Sequence, residues 1–277
     1  KLCMGEKTML KNQIEKMTLE YKDKREYFVK ELAEGIAQIA AAFYPKPVIV
    51  RLSDLKSNEY GQLVGGDLFE KKEENPMLGL RGASRFYDEK FQPAFKMELE
   101  AIKRVRDIFG LKNTWLMVPF CRTPEEGKTV LELMRKHGLE RGKPARRSLG
   151  EGGDGLKILV MAEIPSNVIL AEEFLDIFDG MSIGSNDLAQ LVLGIDRDSA
   201  TLAKVGDERN KAVKEMVKRV IQICRQKKKY SGICGQAPSD FPEFADFLVK
   251  EGIESISLNP DAVIKTILHI ARANKKR

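Results

Sequence analysis

The stretch from Lys157 to Asp187, KILVMAEIPSNVILAEEFLDIFDGMSIGSND, leaves little freedom in how the chain can fold. An apolar run stops at Glu163, Asn167 to Phe178 carries apolar side chains at helical spacing, and Gly180 to Ser185 is a second apolar run ending at Asp187. Strand, helix and strand with short connections form a right-handed βαβ unit whose strands are parallel and usually neighbours. Glu163 and Asp187 are therefore expected side by side at the carboxyl edge of a sheet. Two acids on one edge repel unless a positive charge sits between them, and oxygen ligands of this kind suit Mg²⁺ or Mn²⁺. The plainer alternative is that each acid only caps the turn that follows it. Asn186 and the Gly184-Ser185 pair, with backbone N–H groups that can face an anion, favour a binding site.

Composition narrows the class. A chain of 277 residues suits one large core, and the 43% apolar and 32% charged fractions are those of a globular protein. No apolar run approaches the roughly 20 residues needed to cross a bilayer, so no membrane role is expected. The formal charge of +6 comes from local runs such as Lys227-Lys228-Lys229 and lacks aromatic interleaving, which argues against nucleic acid as a partner. The start, KLCMGEKTML, has no cationic-then-apolar pattern, and Cys3, Cys121, Cys224 and Cys234 form no CxxC pair. A cytoplasmic protein with free thiols is the expectation.

Taken in order, residues 6–43 are helix-favouring, with a stripe at Tyr27-Phe28, Leu32, Ile36, Ile39 and Ala40. Lys46 to Leu52 is a short strand that ends in Arg51. Residues 53–76 are polar and irregular, and they lead to a short strand over Pro76 to Gly82 that presents Arg81. Phe91 to Phe109 is an amphipathic helix. Asn113 to Phe120 is a buried strand, and Thr123-Pro124 starts a helix to His137. The basic, glycine-rich run at 141–155 has no apolar periodicity and is expected to be a mobile excursion. Later come a helix (Arg209–Lys227), a strand (Tyr230–Gly235), a helix (Phe241–Lys250), a strand (Ser255–Leu258) and a last helix (Asp261–Asn274).

Seven strands, ending near Arg51, Arg81, Phe120, Glu163, Asn186, Cys234 and Asn259, thus alternate mostly with helices. That pattern is expected of one domain over 1–277, an α/β (β/α)8 TIM barrel lacking its first strand, with the active site at the carboxyl ends of the strands. The missing strand would leave an edge on which a second copy could pair as a homodimer. Two guanidinium groups are bidentate anion receptors, and a divalent cation between two acids can hold the oxygens of an α-keto acid or its enolate. The natural ligand is then a small doubly anionic compound. Cys234, in a tight Gly-Ile-Cys-Gly turn, can approach a substrate carbon and move a proton. Cys3, Cys121 and Cys224 are expected to be inert, and His137 and His269 to be ordinary helix residues.

The segments VIVRLSDLKSNEY (48–60), ENPMLGLRGASRF (74–86), MVPF (117–120), EIPSN (163–167), DGMSIGSNDLAQLVLGIDRDS (179–199), GICGQAPSD (232–240) and SISLNPD (255–261) closely resemble one family. It is the C-terminal phosphoenolpyruvate-binding domain of the phosphoenolpyruvate synthases (pyruvate, water dikinases). The resemblance implies that Glu163 and Asp187 hold Mg²⁺ (or Mn²⁺), that Arg51 and Arg81 grip phosphate and enolate oxygens, and that Gly184, Ser185, Asn186 and Asp187 line the substrate site. It also implies that Cys234 exchanges a proton with the methyl carbon of pyruvate, and that a phosphohistidine domain and an ATP-grasp domain complete the enzyme. Nothing in the chain matches the family's first-strand Arg or its Thr-Ser-His motif, so the chain alone is not expected to convert ATP and pyruvate to phosphoenolpyruvate. Competing readings are the same domain of pyruvate phosphate dikinase or of the phosphotransferase-system enzyme, a non-catalytic remnant or scaffold, and a Mg²⁺-dependent aldolase or lyase.

Overall fold

A computed structural model describes residues 4–142, 155–197, 199, 201–202 and 205–275. Along the chain come α1 (Met4–Met17), α2 (Lys24–Phe43), β1 (Val48–Arg51), α3 (Ser57–Gly61), α4 (Ala83–Phe86), α5 (Gln92–Lys103), β2 (Thr114–Val118) and α6 (Pro124–Lys136). They are followed by β3 (Ile158–Ala162), α7 (Pro165–Ile169), α8 (Ala171–Ile177), β4 (Gly180–Ile183), α9 (Ser185–Leu193), α10 (Lys211–Gln226) and β5 (Tyr230–Ile233). The chain closes with α11 (Ala237–Asp240), α12 (Pro242–Glu251), β6 (Ser255–Ile256) and α13 (Val263–Lys275). The six strands follow one another in the sheet in chain order, and β2 to β6 pair in parallel. This is the helix-flanked parallel α/β architecture expected from the sequence, with six strands where seven were expected. No described helix is long and apolar enough to cross a membrane. Most of the 141–155 run lies outside the described residues.

The chain divides into two compact units, one of residues 4–115, 130–142 and 155–156, the other of 116–129 and 157–275. In the second, β3 and β4 are buried along their whole length, which is why their sequences are continuous apolar runs rather than alternating ones. The helix expected over Asn167 to Phe178 is two, α7 and α8, broken at Leu170. Gly127 lies so near Phe178 that a Cβ there would meet the ring at 2.9 Å, so the missing side chain is what allows α6 to approach. α10 starts at Asn210, whose side chain accepts from the Ala212 amide, and buries Val213, Val217, Val220, Ile221 and Cys224 at helical spacing.

In the first unit α2 packs against α5. The buried stripe of α2 is Val29, Ala33, Ile36 and Ala40, while Phe28 and Ile39 of the expected stripe are exposed. Small alanines let the helices come close, and that outweighs the larger residues one position away. The strand expected over 76–82 is absent. Glu73 accepts from Leu80 N at 3.0 Å and from Ser57 Oγ at 2.6 Å, and Gly82 adopts φ +55. These fix a compact turn in place of a pairing partner for the sheet.

Glu98 of α5 is 7% exposed and accepts from Ser53 N at 2.8 Å and Ser53 Oγ at 2.9 Å. Burial pushes its carboxyl from the ordinary 4.5 up to about 6, against the pull of the Ser53 bonds and Arg51. The folded state then holds a proton that the unfolded chain has released between these values. Stability falls as pH rises from about 4.5 to about 6, and levels off above, for a cost of about 2 kcal/mol. In urea unfolding, the difference between wild type and Glu98→Gln is expected to move by about 2 kcal/mol between pH 4 and pH 7, favouring the variant at pH 7. A difference independent of pH would contradict this assignment.

Candidate active site

Register decides what the second unit presents at its carboxyl edge. Ala162 lies opposite Ile183, and Ile183 opposite Ile233, so Glu163, Gly184 and Cys234 leave three neighbouring strands at one level. Glu163 is 1% exposed, and its Oε1 accepts from Phe120 N at 2.6 Å. Phe120 sits at φ +43, an uncommon conformation for a non-glycine residue, just past the end of β2. Asn167 braces the same corner: its Oδ1 accepts from Ile164 N at 2.9 Å and its Nδ2 donates to Cys121 O at 2.7 Å. The β2, β3 and β4 ends thus converge on the Glu163 carboxyl. Gly184 completes the corner, since a Cβ there would lie 2.6 Å from Glu163 Oε2 and 2.8 Å from Glu163 Cβ.

The strand expected to run to Asp187 stops at Ile183, and Asp187 lies in the first turn of α9. Gly184 O accepts the first helical bond, from Leu188 N at 3.0 Å. An acid is favoured in a first turn by the free amides and the dipole, which overrides continuation of the apolar run. Asp187 is 6% exposed, and Arg197 Nη1 stands 3.5 Å from its Oδ1. Ser185 is buried and donates to Glu208. Asn186 Oδ1 accepts from Gln236 N at 3.1 Å, which ties the loop after β4 to the turn after β5. In that turn Cys234 N donates to Ile183 O at 2.9 Å, and the thiol is exposed.

Cys121 and Cys224 are buried, and burial pushes both thiols upward, Cys224 to about 12. A neutral buried thiol is a poor proton acceptor. Cys3 lies outside the described residues. His269 pairs with Asp246 at 2.9 Å, and His137 follows the last turn of α6.

In the first unit, Arg51 is the last residue of β1, with its side chain 45% exposed. Arg51 Nη1 donates to Asp54 Oδ2 at 3.1 Å. Arg81 grips the same carboxylate with Nε at 3.0 Å and Nη2 at 2.6 Å, and is almost wholly buried. Asp54 therefore bridges both guanidinium groups in a charge-assisted network.

Asp54, Glu98, Arg197 and Glu208 were not singled out from the sequence. Asp54 and Arg197 sit in the segments RLSD and GIDRD, whose spacing from Arg51 and Asp187 is a usable signal. Glu208, in a charged Asp-Glu-Arg run, carries none. Among the described residues no cluster of three or more His, Cys, Asp or Glu side chains is placed to hold a metal ion. Glu163 and Asp187 each offer hard carboxylate oxygens of the kind that suits Mg²⁺, which takes one or two protein carboxylates and completes its shell with water and ligand oxygens.

Parallel strands that deliver an acid, a helix start and an exposed thiol at their carboxyl ends define a helix-flanked parallel α/β domain whose reactive side chains gather at one edge of the sheet. Residues 12–275 match the family model of the PEP-utilising enzyme, PEP-binding domain, and the chain belongs to that family. It is 57% identical over 263 residues to the phosphoenolpyruvate synthase of Aquifex aeolicus, covering 95% of this chain and 30% of that protein. The Synechocystis phosphoenolpyruvate synthase is 57% identical, covering 98% and 32%, and that of Escherichia coli 52% identical, covering 96% and 32%. The chain thus spans about a third of the length of the curated relatives it matches.

Proposed function

We propose that the chain is the part of a phosphoenolpyruvate synthase that enolises pyruvate and accepts a phosphoryl group on the enolate oxygen. The observation that carries this reading is the shared level of Glu163, Gly184 and Cys234 in one sheet, inside the region that matches the phosphoenolpyruvate-binding family. Glu163 and Asp187 would hold Mg²⁺. Once bound, it would supply a hard positive charge facing the oxygens of the keto acid. Arg51 and Arg81 would grip phosphate and enolate oxygens, as the resemblance implies, and Gly184, Ser185, Asn186 and Asp187 would line the substrate.

The thiolate of Cys234 removes a methyl proton from pyruvate, becoming the thiol, and the electron pair moves to the carbonyl oxygen as an enolate. That oxygen forms the new P–O bond as the P–N bond of a phosphohistidine breaks, with charge spread onto the surrounding cations. The phosphohistidine and ATP-grasp domains would come from the remaining two thirds of a full-length enzyme, whose overall reaction would turn ATP, pyruvate and water into AMP, phosphoenolpyruvate and phosphate. A reducing cytoplasm agrees with the three described cysteines, all free.

The 277-residue chain is expected to bind oxalate, an enolate mimic, only when Mg²⁺ is present, and to exchange the methyl protons of pyruvate for deuterium. Calorimetry and proton NMR in deuterated water read the two. Neither binding nor exchange would leave a non-catalytic remnant as the reading.

A further inference from the structure

Glu208 lies in the loop before α10, outside the segments of sequence that carry the resemblance, yet it ties together two parts of the proposed site. Its carboxylate accepts from Ser185 Oγ, at the first turn of α9. Gly235 lies against the pair: a Cβ there would stand 1.6 Å from Ser185 Oγ and 2.9 Å from Glu208 Oε2. No side chain fits at that position, so the turn after Cys234 rests directly on the Ser185–Glu208 bond.

Glu208 is itself held firmly. Its neighbour Arg209 forks onto Asp207 with Nε at 3.0 Å and Nη2 at 2.7 Å, reaches Glu243 of α12 at 3.1 Å, and stacks over Phe241 at 3.7 Å. Burial raises the Glu208 carboxyl, while the Ser185 hydroxyl pulls it back. Cys234 N and Sγ to Ile183 O, at 2.9 and 3.6 Å, and Gln236 N to Asn186 Oδ1 also link the two segments, on either side of Gly235. Glu208 adds a third segment of chain and a charge.

We propose that Glu208 is a positioning residue for the Cys234 thiol, holding Ser185 at the start of α9 so that the turn after Cys234 packs against the Ser185–Glu208 pair at Gly235. This rests on the reading of Cys234 as the group that moves the methyl proton. A proton transfer is sensitive to displacement, and about 1 Å of misplacement can cost on the order of 100-fold. Binding of an anion to a cation held by Glu163 and Asp187 would not use the thiol. Loss of Glu208 therefore separates proton exchange from ligand affinity.

The test uses the 277-residue chain as wild type, Glu208→Gln and Glu208→Ala, each checked for a cooperative thermal transition. Glu208→Ala loses the acceptor of the Ser185 bond. Methyl-proton exchange at saturating pyruvate is expected to fall about 100-fold, while the dissociation constant of oxalate with Mg²⁺ moves less than about threefold. Glu208→Gln keeps the shape and one acceptor, so exchange is expected to fall about tenfold, and this variant carries the test if Glu208→Ala does not fold. Peptide-resolved alkylation by iodoacetamide reads the Cys234 turn without any turnover, and the rate at Cys234 is expected to change severalfold in Glu208→Ala. Exchange within about threefold of wild type, exchange and oxalate affinity falling together, or an unchanged alkylation rate at Cys234 would each overturn the proposal. If wild type itself exchanges no protons, the proposed function fails, and the alkylation comparison still decides whether Glu208 holds the turn.

Discussion

Glu163→Ala is expected to abolish Mg²⁺-dependent oxalate binding and to destabilise the fold by about 1–3 kcal/mol. Two separate roles of one carboxylate produce the two effects. Its Oε1 receives the Phe120 amide at 2.6 Å in a place from which water is almost wholly excluded. Removing it leaves that amide without a partner, and an unsatisfied buried donor costs its full desolvation. The same side chain offers the proposed metal one of its two protein carboxylates. Glu163→Gln separates the roles, because the amide oxygen can still accept from Phe120 while the negative charge is gone. The stability loss should then be small and the loss of binding complete. Calorimetric titration of oxalate with and without Mg²⁺, alongside thermal unfolding, measures both. Oxalate affinity that survives in the Gln variant would remove Glu163 from the metal site.

In Cys234→Ala, deuterium exchange at the methyl of pyruvate is expected to drop by about 10²–10⁴-fold, the range for loss of a positioned acid–base group, with oxalate affinity nearly unchanged. The thiol stands exposed just past the end of β5, at the level of Gly184 and Glu163. Cys121 and Cys224 cannot replace it, since burial holds both thiols neutral. Proton NMR of the methyl signal over time reports the rate directly. Exchange at the wild-type rate in this variant would assign the proton to another group and favour a lyase-type reading.

The parallel sheet and the order of its elements were legible in the sequence because buried strands spell themselves as unbroken apolar runs. TWLMV, ILVMA and GMSI all fall inside segments read as strands, as does the half-buried VIVR. The false strand over 76–82 shows the limit. Pro and Gly around a short apolar stretch mark both a strand's borders and a tight turn, and the deciding feature, Glu73 reaching Leu80 N, joins residues too far apart for local pattern to reveal. On α2, Ile36 and Ala40 are buried as expected, while Val29 and Ala33 are buried in place of Phe28 and Leu32, because the closeness of α5 favours a small residue at 33 over a larger one beside it.

At the site, Glu163, Gly184 and Cys234 could be read because each ends or follows an apolar run. Asp187 was placed at the right edge but on the wrong element. The partners that hold these groups were invisible. Asp54 between Arg51 and Arg81, Arg197 beside Asp187, and Glu208 under Ser185 are charged residues in loops, and their sequences look like solvated surface.

The sequence by itself determined the alternation of strand and helix, the carboxyl edge where function gathers, and the residue types offered there, because burial and periodicity are written locally. Only the tertiary structure decided which groups meet, since register sets the level of Glu163, Gly184 and Cys234, and close approach at Gly184 and Gly235 sets their neighbours. A hydrogen bond across many residues of chain depends on how the elements pack, and no window of sequence contains that distance.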